Sequence, residues 1–393
     1  MTGQSQFANG QRMHAFAEAG LKLSLPRQRL TSAFRVCGCA GLVLAGGLTG
    51  GLAIHRSLSL WVMLAIIPVA IAIFLALVMA TKIIGGQERI INYHHEIAVL
   101  SGTALFLRFL HQPVLPFLDI TVLGLGLFLA CGRIGCLLVG CCHGRPSRWG
   151  VCYGEEYALA GFPRYYIGIS LFPVQALESL WALVIVAVGA AAVLRGSTPG
   201  TVFASYIVAY GFGRFCFEFL RGDPDRAYFF GFSEAQWTSL LLMSLTLLGE
   251  ASRIIPRQRW HVAATALAVL MMAGVSLHRR LRKTPTQALL HPRHVREIAA
   301  ALEFAMSASD APEAHVRVGC TSLGVRISGG DFDLSGNRFP HYAISSSAQP
   351  FTAATAAVIA AVICKLKHPR CDFGLFSGSH SVFHCLVHRE ARA

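Results

Sequence analysis

Six stretches of this chain, 36–54, 57–81, 179–194, 199–213, 235–249 and 260–277, contain no Asp, Glu, Lys or Arg. Crossing the hydrocarbon core of a bilayer takes about 20 mainly apolar helical residues, so these runs limit the chain to a membrane-embedded helical fold. Composition agrees: 14% of the 393 residues are charged and mean hydropathy is +0.53, whereas soluble domains carry about 25% charged residues. The blocks near 96–118 and 165–178 are mixed but mostly apolar, and 120–142 holds a single charge, Arg133. Together they predict helices over about 36–54, 58–81, 94–110, 115–138, 173–194, 199–220, 235–250 and 260–278. The expected fold class is an all-α polytopic membrane protein with seven to eight transmembrane helices.

Three segments follow from the hydropathy. Residues 1–34 read as a weakly ordered arm, too long and polar to be the n-region of a signal peptide; 35–280 form the membrane body; 284–393 form a small soluble α+β domain. In that tail, helices are expected at 292–307 and 352–366, with strands near 315–320, 323–328, 371–376 and 382–388. The longest polar interruption of the membrane body, 139–172, reads as a lateral arm at the interface, where Tyr and Arg are favoured. Net charge is +14, which suits anionic phospholipid headgroups. Nucleic acid is not expected, because no basic patch is interleaved with stacking aromatics. The basic clusters at 253–259 and 279–283 flank one helix, so charge alone leaves the orientation open.

The chemistry-bearing residues are those that break the apolar pattern. Arg133 sits near the end of a long apolar run, in Gly132-Arg133-Ile134-Gly135-Cys136, followed by Gly140-Cys141-Cys142-His143-Gly144-Arg145-Pro146. A charge at that depth is costly and marks a substrate or ion pathway; phosphate is the natural counter-ion for a guanidinium. Tyr210, Arg214, Glu218 and Arg221 fall at helical spacing and share one face. Arg133 and Arg214 are therefore expected to converge on one anion. Tyr93-His94-His95-Glu96 opens the third helix, either as an interfacial polar cluster or as a base that titrates near neutral pH. Cys141 and Cys142 are adjacent, with no CxxC pair in support, so neither metal nor cofactor is expected there.

These residues resemble the bacterial prolipoprotein diacylglyceryl transferase family, over about 36–250. The resemblance rests on ordered landmarks: the His at the third helix, Asp119, Gly132-Arg133-Ile134-Gly135, Gly144-Arg145-Pro146 and Trp149-Gly150-Val151. Pro173-x-Gln175-x-x-Glu178 and Tyr210-Gly211-x-x-Arg214-Phe215-x-x-Glu218-Phe219-x-Arg221 complete the series. The resemblance implies transfer of a diacylglyceryl group from phosphatidylglycerol to the lipobox cysteine thiol of a prolipoprotein. A thioether forms and glycerol phosphate leaves. It further implies a multi-pass protein of the bacterial plasma membrane. Carried over by position, His94, with His95 one step away, Tyr210 and Arg214 would be catalytic. Arg133, Cys136, Cys141, Gly144, Glu218 and Arg221 would bind the lipid. The family has Asn where Cys136 stands and Glu where Cys141 stands; Phe172, Leu177, His95 and Glu96 also depart from its pattern. Those departures support an alternative: a paralogue that binds anionic phospholipid with altered or absent catalysis. A third reading is a thiol relay through Cys136, Cys141 and Cys142.

Overall fold

A computed structural model describes residues 21–23, 27–86, 92–159, 161–224, 226–281, 286–307, 316–334, 337–347, 351–368, 371–378 and 381–389. Most of the predicted arm, 1–20 and 24–26, lies outside the described residues. The first helix begins at Arg27, ahead of the apolar block. Helices α1 (Arg27–His55), α2 (Leu60–Gly85), α3 (Asn92–Phe109) and α4 (Val114–Val139) come first. Then follow α6 (Val174–Leu194), α7 (Thr201–Phe217), α8 (Glu234–Ala251) and α9 (Arg259–Leu281), with the four-residue α5 (Glu155–Ala158) between α4 and α6.

A helix forms at each of the eight predicted positions. Among the described residues, five helices (α1, α2, α4, α6 and α9) are long and apolar enough to cross a membrane. The others fall short for visible reasons. Helix α7 has 17 residues. Helix α3 carries Glu96 and Arg108 in 18 residues, and α8 carries Glu234 and Glu250 in 18.

Local chemistry sets the helix ends. Ser59 caps α2 at its start, and Gly86, in the left-handed region at φ 69°, closes it. Helix α8 starts with a capping box in which Ser233 and Gln236 satisfy each other's backbone N–H. Helix α7 borrows its cap from another helix. The buried Asp119 carboxylate of α4 accepts the backbone N–H groups of Gly200 and Phe203, each at 2.7 Å. That contact fixes α7 against α4, where the site forms.

The lateral arm contains strand as well as helix and loop. Strand β2 (Pro146–Tyr153) pairs in parallel with β1 (Leu21–Leu23) and antiparallel with β3 (Ser170–Leu171). Strands β4 (Tyr228–Phe229) and β5 (Phe232–Ser233) make a small hairpin before α8. The tail holds α10 (Thr286–Leu289), α11 (Pro292–Met306) and α12 (Ala353–Lys367). Its strands are β6 (Gly319–Cys320), β7 (Val325–Leu334), β8 (Asn337–Ser346), β9 (Cys371–Ser377) and β10 (Phe383–Arg389). The sheet order is β6-β7-β8-β10-β9, antiparallel throughout. Its core runs on into the lateral arm: Tyr157, Phe162 and Tyr166 join one buried cluster with Ile298, Leu302, Ile344 and Ile363.

Candidate active site

Three helices meet at one carboxylate. Glu178, in the second turn of α6, is wholly buried. Its Oε1 lies 2.9 Å from Arg133 Nη2 of α4 and accepts the Tyr210 hydroxyl of α7 at 2.9 Å. Its Oε2 lies 3.4 Å from Arg214 Nη1 and 3.8 Å from Arg221 Nη1. Arg214 turns its other terminal nitrogen to Glu218, one helical turn on, at 2.7 Å. Glu218 is shared with Arg226, whose Nη1 donates to Oε2 at 2.6 Å. Asp223 then bridges Arg221 and Arg226, accepting from each Nε at 2.8 Å. Burial alone would raise the Asp223 carboxyl, but the guanidinium groups of Arg221 and Arg226 outweigh it and hold it well below the usual carboxylate range.

Arg221 is the largest fully buried side chain among the described residues, and its backbone is fixed as well as its side chain. It forms a β-bridge with Gly144, and Arg145 Nε donates to its carbonyl at 3.1 Å. The reason for a glycine at 144 is steric. A Cβ there would stand 2.4 Å from the Phe172 carbonyl oxygen and 3.1 Å from that of Leu220, so only glycine lets the loop after α4 dock on the segment carrying Arg221.

The cluster brings four guanidinium groups against three carboxylates, Glu178, Glu218 and Asp223. Such a group is expensive to bury unless every charge is met. Three donors are left over: Arg133 Nε, Arg214 Nε and Arg221 Nη1 are buried with no hydrogen-bond partner among the described residues. Unsatisfied buried donors are rare in native folds.

The structure thus gathers Arg133, Tyr210, Arg214, Glu218 and Arg221 into one network and places Gly144 beside it. Cys136 and Cys141 stand just beyond Arg133, around the end of α4. His94 is elsewhere: its half-exposed ring pairs with Glu234 of α8 at 2.9 Å. His95 points into the bundle, its ring centroid 4.5 Å from that of Phe74. The hub itself, Glu178, was absent from the candidate residues. Its signal was present, a carboxylate immediately before the uncharged run 179–194. Asp223 and Arg226 were missed because they lie in a polar loop, where charge carries no information.

Fold and site define a class: a polytopic helical membrane protein whose interior holds a buried arginine–carboxylate network. Residues 92–250 match the profile of the prolipoprotein diacylglyceryl transferase family, which includes every member of the network. Among curated relatives, a phosphatidylglycerol–prolipoprotein diacylglyceryl transferase of Clostridium tetani is 33% identical over 130 residues, 32% of this chain and 51% of that protein. One from Clostridium perfringens is 37% identical over 117 residues, covering 28% and 42%. One from Streptomyces coelicolor is 32% identical over 167 residues, covering 42% and 50%. The chain spans about half the length of the curated relatives it matches. Neither α1, α2 nor the tail falls within the matched residues.

Proposed function

We propose that this protein transfers a diacylglyceryl group from phosphatidylglycerol to the lipobox cysteine thiol of a prolipoprotein, within the bacterial plasma membrane. The observation that carries the proposal is the set of three buried guanidinium nitrogens in the Glu178 network that make no hydrogen bond among the described residues. The lipid phosphate would accept from Arg133 and Arg214, and as the ester C–O bond breaks these groups neutralise the charge growing on the departing glycerol phosphate. In a water-poor interior that stabilisation is far larger than at a surface. Glu178 and Glu218 act by positioning: they hold the guanidinium planes and restrain their rotamers. The Tyr210 hydroxyl donates a hydrogen bond to Glu178, so in this arrangement it steadies the carboxylate rather than serving as a free base. His94 pairs with Glu234 of α8, which is not a member of the cluster.

A lipid also needs room for its tails. An apolar cleft of about 610 Å³ opens among α1 to α4, lined by Leu42, Met63, Ile67, Phe74 and Phe128. It shares α4 with Arg133, which suits acyl chains leading from a headgroup held at the arginines.

A second reading, lipid binding without turnover, is favoured by one observation: thiols stand at 136 and 141, where the resemblance calls for an amide and a carboxylate. The two part on release of glycerol phosphate. Purified protein in detergent, given phosphatidylglycerol and a lipobox peptide, should liberate it in step with peptide consumption. Lipid retained by wild type but not by Arg214→Ala, with no glycerol phosphate released, would favour the binding paralogue.

A further inference from the structure

Adjacent cysteines normally point apart, which is why Cys141 and Cys142 carry no expectation of metal binding. The structure removes that objection. Helix α4 closes on Gly140 at φ 84°, and Cys142 is itself left-handed at φ 56°. A non-glycine residue there is strained, and such strain persists where the surroundings impose it. Here it folds the chain back so that the sulfur atoms of Cys136, Cys141 and Cys142 all lie within 4.8 Å of one another. The turn is pinned from α6: the buried Gln175 donates to the Cys141 carbonyl at 2.8 Å.

We propose that Cys136, Cys141 and Cys142 form a three-thiolate site for one thiophilic divalent cation of the zinc class, its fourth position open to the acceptor thiol. The final clause rests on the transferase reading; the cation site does not. Thiolates bound at about 2.3 Å in a tetrahedron are about 3.7 Å apart, so the three sulfurs need only a modest contraction. An all-sulfur donor set selects soft ions over magnesium or calcium. Three thiolates around a divalent ion carry one net negative charge, and the guanidinium groups of Arg133 and Arg221 lie within electrostatic reach of Cys142 to offset it. Three protein ligands with one open position is the pattern of a reactive zinc site, whereas a structural site fills all four. A thiol entering that position gives its proton to solvent and is held as thiolate. Its sulfur then forms the S–C bond to the glyceryl carbon while the C–O bond to phosphate breaks. The electron pair leaves on glycerol phosphate, next to Arg133, and no oxidant or reductant is needed.

The test uses the full-length chain in detergent, reduced, stripped with a chelator and titrated with zinc. Zinc should protect Cys136, Cys141 and Cys142 from alkylation, read residue by residue by mass spectrometry, while leaving Cys364 and Cys371 unchanged. Cadmium should give a thiolate charge-transfer band that is lost in Cys136→Ser and Cys141→Ser and kept in Cys364→Ser. Equal alkylation with and without zinc overturns the site, and that readout needs no variant to fold. Stripping should lower peptide transfer at least tenfold, with recovery on adding zinc; full transfer by stripped protein overturns the role of the fourth position. Zinc protection of the three thiols with no transfer in either state would overturn the transferase reading and leave the cation site standing.

Discussion

Replacing Glu178 by Gln tests whether the network is held by charge or by shape. Glutamine keeps the volume and one acceptor oxygen, so packing is preserved and only the negative charge is lost. Three guanidinium groups lie within 3.8 Å of that carboxylate. Arg214 keeps Glu218 and Arg221 keeps Asp223, but Glu178 is the one carboxylate at ion-pair distance from Arg133 among the described residues. Leaving one buried charge uncompensated costs about 3–5 kcal/mol. The lower figure fits here because two of the three partners remain paired; about 3 kcal/mol is roughly a 150-fold shift in the folding equilibrium. Denaturant titration in detergent micelles should show that loss. The Glu178→Gln, Arg133→Gln double variant should recover most of it, since removing both partners of a buried pair is far less harmful than removing one. A Glu178→Gln protein within about 0.5 kcal/mol of wild type, or a double variant no better than the single, would refute the charge argument.

Other residues give sharper, smaller tests. Gly144→Ala must displace the Phe172 carbonyl; a loss of about 1–3 kcal/mol is expected, with transfer falling further because Arg221 moves. Asp119→Ala removes the acceptor of two helix-start amides and should cost about 2 kcal/mol, seen as faster hydrogen exchange at the start of α7. Asp223→Asn should destabilise by about 2 kcal/mol near neutral pH. Because the folded-state pKa of Asp223 is depressed, its contribution is full above the unfolded value and is lost as pH falls through the folded one. The gap between wild type and variant should therefore be flat from pH 5 to 8 and shrink below about 4. A gap that widens on acidification contradicts the assignment.

Much of this was readable because membranes make charge informative. Arg133 and the Tyr210, Arg214, Glu218, Arg221 stripe stood out against uncharged runs, and the eight helix positions followed from the same contrast. Glu178 was overlooked because a carboxylate at the edge of an apolar run also fits a flanking polar residue, and only the fold shows three arginines turned toward it. A histidine at a helix start suggests a base, and local pattern could not show that His94 pairs with Glu234 of a helix remote in sequence. The same contrast locates helices without measuring whether each is long and apolar enough to cross, as five of the described helices are. In the tail, β8 was missed since Pro340 and several polar residues blur its alternation. The continuity of the tail's core with the lateral arm depends on contacts between residues more than a hundred positions apart, beyond the reach of local patterns. The cysteine triad was hidden by one backbone angle, at Cys142.

The most direct test of the central claim is mass spectrometry of a lipobox peptide after incubation with the purified chain and phosphatidylglycerol. The account predicts a diacylglyceryl mass gain on the peptide cysteine, absent with Arg133→Ala and Arg214→Ala although both variants insert and remain helical. An unmodified peptide with wild-type protein that still binds the lipid, or a full mass gain with either arginine variant, would contradict it.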